Sequence, residues 1–166
     1  FRNTETNKID YFEISSRKNQ LRELIDYFSD KRIMLCGYNN HHYDDVIINY
    51  LIYYRRIMLH IPYDSICESL FNLSNTIIRE EEKTREELKK WKYAKYFYSM
   101  DRLTMLFSSK LRVGLKEMQV TMQYNNVQEY EGNFNEYLPS DKIDDMIKYN
   151  LNDVESTTEL LNLLKD

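Results

Sequence analysis

The pattern of apolar and polar positions is clearest over residues 33–54, where two apolar runs flank a polar turn. Ile33–Cys36 contains no polar residue, which is typical of a strand covered on both faces in a parallel sheet. Gly37–Asn40 breaks this strand, and Asp44 and Asp45 then open a helix. Apolar side chains recur at helical spacing in that helix: Ile47, Leu51, Tyr54 and Met58. The pattern predicts an interior strand that ends in a polar turn, and open α/β sheets place their chemistry at such strand ends.

Upstream of this stretch, the pattern predicts a hairpin and a helix. The hairpin covers residues 1–14 and turns at the polar segment Asn3–Asn7. Ser15 or Ser16 is expected to cap the helix that follows. Apolar residues of this helix fall on one face: Leu21, Leu24, Ile25 and Phe28. The expected order is therefore hairpin, helix, strand, helix.

Downstream, the pattern predicts three or four helices and one more strand. A helix starts near Pro62, and its apolar stripe consists of Ile66, Leu70, Leu73 and Ile77. Its continuation over 79–90 is almost free of apolar residues, which predicts a solvated arm. Residues 95–100 are aromatic and favour a strand that packs in the core, with Asp101 at its end. A short helix over 114–124, a loop over 125–139 and one or two helices from Asp141 onward complete the chain.

In the last helical segment, the buried stripe is expected to consist of Ile143, Ile147, Leu151, Val154 and Leu161.

Composition and charge limit the class of protein. A chain of 166 residues suggests one domain with a real core, and its net charge of −4 provides no overall basic field for nucleic acid. Local contacts to nucleic acid stay compatible with that charge. Cys36 and Cys67 form no CxxC pair and are expected to be buried free thiols of a reducing compartment. With no membrane-length apolar run and no signal-peptide pattern, the sequence predicts a soluble, cytoplasmic protein without a membrane partner.

Carboxylates and one tyrosine form the candidate chemistry. Asp44 or Asp45 has a simple alternative role as a helix cap, and Tyr149 with Asp153 has one as a surface hydrogen bond. Tyr149 and Asp153 are four residues apart and project from one helix face. Asp44 and Asp153 are suited to anchor hard divalent cations through oxygen. A tyrosine one turn before Asp153 is placed to orient a metal-bound water for attack on phosphorus.

Two segments of the chain resemble motifs of the DEDD (DnaQ-like, ribonuclease H-like) 3′–5′ exonucleases. Residues 37–44, Gly-Tyr-Asn-Asn-His-His-Tyr-Asp, resemble the second motif in the form Asn-x-x-x-Tyr-Asp. Residues 149–153 resemble the third motif, Tyr-x-x-x-Asp, which marks the tyrosine subclass. Further segments resemble the region between these motifs in the proofreading domains of phage-type DNA polymerases: residues 99–101, 113–118 and 126–129. The resemblance covers nearly the whole chain.

The resemblance implies an α/β fold, a ribonuclease H-like mixed β-sheet flanked by helices, and two divalent cations, Mg²⁺ or Mn²⁺. Asp153 would bind the metal that holds the attacking water, and Tyr149 would orient that water. Asp44 would serve the second metal. Asn39 and Tyr43 would line the groove for the 3′-terminal nucleotide. The implied substrate is the single-stranded 3′ end of DNA, and the implied partner is the polymerase domain of the same polypeptide.

The first motif of this family, Asp-x-Glu on the first strand, is not found. Asp10–Glu13 has the wrong spacing, and Thr4–Thr6 lacks the aspartate. Residues 1–166 are therefore expected to be a single exonuclease-like domain that lacks its first strand, a fragment of a larger polymerase with weak or no activity alone. The alternatives are a non-catalytic nucleic-acid or protein-binding module with a degenerate nuclease fold, and an RNA-directed exonuclease of the same superfamily.

Histidines and arginines provide weaker candidates. His41 and His42 are adjacent and cannot easily face one metal ion, so they are expected to be loop residues near the substrate. Arg55 and Arg56 are suited either to contact phosphate or to stabilise the end of a helix.

Overall fold

A computed structural model shows a mixed α/β protein with a parallel pair of strands. The structure describes residues 1–30, 32–79, 88–91, 95–107, 113–133 and 136–164. The chain divides into two compact units. One unit is Phe12–Arg102, and the other joins Phe1–Tyr11 to Leu103–Asp166. The prediction of a single domain over residues 1–166 stays a prediction.

The unit Phe12–Arg102 contains both strands and four named helices. In chain order these are α1 (Leu21–Ser29), β1 (Met34–Gly37), α2 (Asp44–Tyr53), α3 (Arg55–Met58), α4 (Tyr63–Arg79) and β2 (Tyr98–Asp101). A 3₁₀ turn, Asn40–His42, joins β1 to α2, and residues 88–91 are helical. The predicted order of helix, strand and helix is confirmed here. Within the predicted solvated arm, residues 80–87 lie outside the described residues.

β1 and β2 form a parallel pair in which Met34 lies opposite Tyr98 and Gly37 opposite Asp101. The prediction of a parallel strand is confirmed, but the prediction of an interior strand covered on both faces is wrong for the described sheet. Each of its two strands is an edge, and Met34 is 58% exposed. An apolar run favours burial, but only neighbouring strands provide it. The turn after β1, rather than an interior strand, therefore places Asp44. The ribonuclease H-like sheet stays a prediction.

Two apolar clusters hold this unit together. The first joins α1, α2, α3 and α4 through buried side chains: Leu21, Ile25, Leu51, Met58 and Ile66. The second contains Val46, Ile77 and Trp91. The predicted stripe of α4 is confirmed, because Leu70 and Leu73 pack against these clusters. The aromatic strand packs partly as predicted: the ring of Phe97 is 5.0 Å from that of Phe28, whereas Tyr98 is 64% exposed.

The predicted helix caps are wrong. α1 begins only at Leu21, whose backbone N–H donates to the Asn19 side chain at 3.2 Å. The hydroxyl of Ser15 instead accepts the backbone N–H of Arg17 at 3.0 Å, in a turn closed by an Ile14–Asn19 bridge. No side-chain cap is found at the start of α2 either. Local side-chain hydrogen bonds in turns compete with capping, and here they prevail.

The other unit contains the chain start and three further elements. These are α5 (Arg102–Leu106, whose first residue belongs to the preceding unit), α6 (Leu115–Thr121) and α7 (Ile143–Leu163). A 3₁₀ turn at Ser140–Lys142 leads into α7. The predicted hairpin is present as a turn closed by an Arg2–Ile9 bridge, without extended strands.

α7 is a single helix, but its buried face differs from the predicted stripe. Ile143 and Leu161 are buried as predicted, whereas the three residues predicted between them are half-buried: Ile147, Leu151 and Val154. Asn152 and Ser156 are buried instead. The reason is polar packing, since Asn152 donates to the Asn126 carbonyl at 2.8 Å.

Two predictions about solubility and thiols bear on cellular context. Among the described residues, no helix combines the length and the apolar character required to cross a bilayer. Cys36 and Cys67 are free thiols, although both are half-buried rather than buried.

Candidate functional site

The turn after β1 is held by Asp101, the last residue of β2. Its carboxylate accepts the backbone N–H groups of Asn39 at 2.8 Å and His41 at 3.2 Å. Because the two strands are parallel, the carboxyl end of β2 reaches the turn that leaves β1. Asn39 has the left-handed conformation, with φ of 60°, and is exposed. Asp101 is 1% exposed and fixes the backbone that leads to Asp44.

Asn40 is the amide that joins the polar network, while the predicted contact of Asn39 with a terminal nucleotide stays a prediction. Asn40 Nδ2 donates to Asp45 at 3.0 Å and to Ser99 at 2.7 Å. Gly37 permits this arrangement, since a Cβ at that position would lie 2.8 Å from the Asn40 side chain. Asp45 is fully buried. The turn is therefore built by four side chains that the sequence pattern did not single out as a set: Asn40, Asp45, Ser99 and Asp101.

His41 lies between two buried carboxylates. Its Nε2 is 3.7 Å from Asp45 and its Nδ1 is 3.9 Å from Asp101. Within the described part of the chain, three buried atoms of this cluster lack hydrogen-bond partners: Asn40 Oδ1, His41 Nε2 and Asp45 Oδ2. A protonated imidazole would form ion pairs with both carboxylates. Among the described residues, the turn therefore contains hydrogen-bonded side chains together with buried polar atoms that lack a hydrogen-bond partner.

Asp44 begins α2 beside this cluster, and its pKa is raised to about 6. Desolvation is the largest cause, and repulsion from the carboxylates of Asp45 and Asp101 adds to it, while a hydrogen bond to its own backbone opposes it. Asp44 nevertheless keeps exposed surface. These two facts agree because the protein atoms around the residue displace bulk water while one side still reaches solvent. A nearby cation would stabilise the ionised form of such a carboxylate.

Tyr43 is engaged within the same unit. Its hydroxyl shares a 2.6 Å hydrogen bond with the Ser74 hydroxyl of α4, and its ring packs against the Val46, Ile77 and Trp91 cluster. Tyr43 therefore ties the start of α2 to α4. Its predicted contact with a terminal nucleotide stays a prediction.

Tyr149 and Asp153 lie on one face of α7, and Lys116 of α6 contacts both. The Lys116 ammonium donates to the Asp153 carboxylate and lies 4.7 Å from the centroid of the Tyr149 ring. Desolvation and the negative charge of Asp153 raise the pKa of Tyr149 above its ordinary value, while Lys116 opposes this. The phenol is therefore protonated at neutral pH. It is suited to donate a hydrogen bond and unsuited to act as a base.

Gln119 orients Asp153 from the adjacent turn of α6. It is fully buried and donates to the Ser156 hydroxyl at 2.6 Å and to the Asp153 carboxylate at 3.4 Å. The Asp153 carbonyl accepts the Thr157 hydroxyl at 2.7 Å. Lys116 and Gln119 were missed at the sequence level. Their i,i+3 spacing on a short helix would have placed them on one face, but only the fold shows that this face meets α7.

The predicted site residues fall into two groups. Asn39, Tyr43 and Asp44 belong to the unit Phe12–Arg102, and Tyr149 and Asp153 belong to the other unit. The expectation that Asp44 and Asp153 anchor divalent cations together therefore stays a prediction.

The carboxylates of each group suit Mg²⁺ or Mn²⁺, which prefer oxygen ligands. Among the described residues, however, no three or more His, Cys, Asp and Glu side chains are grouped so that they could hold a metal ion. Each predicted ligand therefore fits a divalent cation as a single donor and needs further donors to complete a site.

A scan of protein-family models, a search of curated proteins and a search of solved structures return no match to this chain. The function of the chain is therefore inferred from its own residues and their contacts.

Proposed function

We propose that this chain is a metal-dependent 3′–5′ exonuclease domain of ribonuclease H-like fold, the proofreading part of a phage-type DNA polymerase. The observation that supports this best is the arrangement on α7. Tyr149 precedes Asp153 by one turn on the same face, and Lys116 contacts both side chains. A carboxylate beside a protonated phenol suits metal-assisted phosphodiester hydrolysis, in which the carboxylate binds the cation and the phenol orients the attacking water.

Each side chain has a distinct role in this proposal. Asp153 supplies carboxylate oxygen to a divalent cation, and Gln119 holds that carboxylate in place. Tyr149, kept protonated, donates a hydrogen bond that orients the attacking water. Asp44 supplies oxygen on the side of the leaving group. Two divalent cations supply charge neutralisation and water activation when they are bound.

The substrate of the proposed reaction is the single-stranded 3′ end of DNA in the cytoplasm. Asn39 and Tyr43 line the groove for the terminal nucleotide, and the polymerase domain of the same polypeptide delivers the strand. Asn39 is exposed and is suited to such a contact. Further carboxylates must complete the metal site, and the Asp-x-Glu motif of the resembled family would supply them.

The decisive assay follows the stepwise shortening of a 5′-labelled single-stranded oligonucleotide. The chain is joined to an upstream strand that carries Asp-x-Glu and is tested with Mg²⁺ or Mn²⁺ and with EDTA. Metal-dependent shortening is expected, and the chain without the added strand should show little or none. Tyr149→Phe should slow shortening by about 10²–10⁴-fold, because the metal ligands remain while water orientation is lost. Cleavage that EDTA does not affect would contradict the mechanism.

A second candidate function is a non-catalytic nucleic-acid-binding module. The ion pair between Lys116 and Asp153 favours it, because the ammonium neutralises this carboxylate without any metal. Binding of the oligonucleotide by the extended chain without shortening, in the presence of Mn²⁺, would support this alternative.

A further inference from the structure

A cavity of about 780 Å³ opens between α2, α4 and residues 88–91 of the unit Phe12–Arg102. Its volume falls within the range of about 300–1,000 Å³ that is typical of small-molecule sites. None of the predicted exonuclease residues lines it, so it is a separate feature of this unit.

One wall of the cavity is aromatic. Tyr50, Tyr54 and Trp91 line it, and their ring centroids lie 4.8–5.3 Å apart in tilted or edge-on arrangements. The rings fix one another before any ligand arrives. Tyr50 and Tyr54 are half-buried and so keep surface for a further planar group. Aromatic walls of this kind stack nucleobases with little dependence on sequence.

Trp91 is held in this wall by a buried amide. Asn49 of α2 is fully buried, and its Nδ2 donates to the Trp91 carbonyl at 2.7 Å. The oxygen of the same side chain accepts the backbone N–H of Tyr96 at 3.3 Å. One side chain thus binds the backbone of both Trp91 and Tyr96.

The opposite wall is polar. Ser69, Asn72 and Thr76 project into the cavity from one face of α4. The two hydroxyls donate within the helix, Ser69 to the Ser65 carbonyl and Thr76 to the Asn72 carbonyl, both at 2.9 Å. The Ser69 hydroxyl also hydrogen-bonds the Tyr50 side chain, whereas the lone pairs of Thr76 can accept hydrogen bonds from a ligand. The exposed carboxamide of Asn72 offers both a donor and an acceptor to the edge of a base.

The charge of the described lining is positive. Among the described residues, Lys90 is the one charged residue of the lining, and no carboxylate belongs to it. The Lys90 ammonium lies 4.2 Å from the Tyr53 ring centroid and 4.9 Å from the Trp91 ring. It also donates to the Tyr53 hydroxyl at 3.1 Å. An anionic group beside a stacked base would meet this ammonium.

We propose that this cavity binds a nucleotide, with the base against Tyr50, Tyr54 and Trp91, the base edge at Asn72 and the phosphate at Lys90. An apolar ligand would offer the Asn72 carboxamide no hydrogen-bond partner, and an acidic wall that would favour a cation is lacking among the described lining residues. The shared chemistry is a base with its phosphate. Its source is either a free nucleotide or one unit of a single strand.

Trp91 is the only tryptophan of the chain and reports directly on the cavity. Its fluorescence is followed during titration with deoxyadenosine monophosphate, with adenosine-free inorganic phosphate and with a deoxyadenosine 10-mer, all in EDTA. Saturable quenching by the mononucleotide, but not by phosphate, is expected. Tighter quenching by the 10-mer than by the mononucleotide would identify a single strand as the source, and equal or weaker quenching would identify a free nucleotide.

Two lysine variants test the assigned contacts. Lys90→Gln should weaken mononucleotide binding by about 1.5- to fivefold, as expected for a solvent-accessible ion pair. Lys89→Gln, the same change one residue away and outside the lining, should leave it unchanged.

The inference is wrong if neither nucleotide probe quenches Trp91 saturably, or if both variants bind alike. Because EDTA is present throughout, the result is independent of metal-dependent cleavage. Failure of the exonuclease assay would leave this binding result standing, and the reverse also holds.

Discussion

Asp101 shows how one buried carboxylate organises a turn. It accepts two backbone N–H groups from the turn after β1, and both donors lose their acceptor when the carboxylate is removed. Asp101→Ala should lower the free energy of unfolding by about 2–4 kcal/mol, because two partly buried N–H groups lose a charged acceptor at about 1–2 kcal/mol each, the lower part of the range for unpaired donors. Urea unfolding followed by Trp91 fluorescence measures this. Asp26→Ala, on the exposed face of α1, is the control and should change stability little. A loss no larger than that of the control would refute the anchoring role.

Asp44 should make stability depend on pH. Its pKa rises from 3.8 to about 6 on folding, so the folded state retains a proton that the unfolded state has released. This contribution to stability is full below about pH 4 and disappears as the pH rises through about 6. Asp44→Asn cannot ionise, so relative to wild type it should gain stability between about pH 4.5 and about pH 7.5. Urea midpoints in EDTA measure the trend, with Asp26→Asn as the control. If the difference in stability between Asp44→Asn and wild type does not change with pH, the shifted pKa of Asp44 is contradicted.

At the scale of residues, the sequence showed which side chains to consider but not their partners. The Tyr149–Asp153 spacing was readable, because helical periodicity alone puts residues four apart on one face. Lys116 and Gln119 were not, since their role depends on how α6 packs against α7. The contacts of Asn40 with Asp45 and Ser99 were not readable either, because they depend on the backbone direction in the turn.

At the scale of elements, α4 offers a direct test of the core. Ile66 is fully buried in the first apolar cluster, whereas Ile78 on the same helix is 66% exposed. Ile66→Ala should reduce the free energy of unfolding by about 2–5 kcal/mol, through lost burial and the cavity that remains. Ile78→Ala should change it by less than about 0.5 kcal/mol. Urea unfolding of both variants provides the measurement. Equal losses would show that α4 does not pack as described.

The long amphipathic helices were predictable, and the ends of elements were not. α1 and α4 carry strong 3.6-residue patterns, and their buried stripes followed from these. The start of α1 was missed because Ser15 bonds within a turn instead of capping. The predicted interior position of β1 is wrong because four apolar residues do not show how many neighbouring strands exist. The buried face of α7 was missed because polar residues, Asn152 and Ser156, occupy it.

At the scale of the whole molecule, charge and function must be reconciled. The chain carries a net charge of −4, so the proposed nucleotide contact depends on a local group, Lys90, rather than on an overall field.

Asp153 is proposed to be a metal ligand in 3′–5′ exonucleolysis. A comparison of the unsubstituted protein with two aspartate variants tests this role. The rate of shortening of a 5′-labelled single-stranded oligonucleotide is measured with Mn²⁺ for the chain joined to an Asp-x-Glu strand. The same rate is measured for its Asp153→Ala and Asp145→Ala variants. Asp145 lies on the same helix and is exposed. Its carboxylate lies 3.5 Å from the Lys142 ammonium.

Asp153→Ala should abolish shortening, because it removes an oxygen ligand of the cation, while Asp145→Ala should retain the unsubstituted rate. Circular dichroism of both variants checks that each is folded. Shortening by folded Asp153→Ala at the unsubstituted rate would contradict the account.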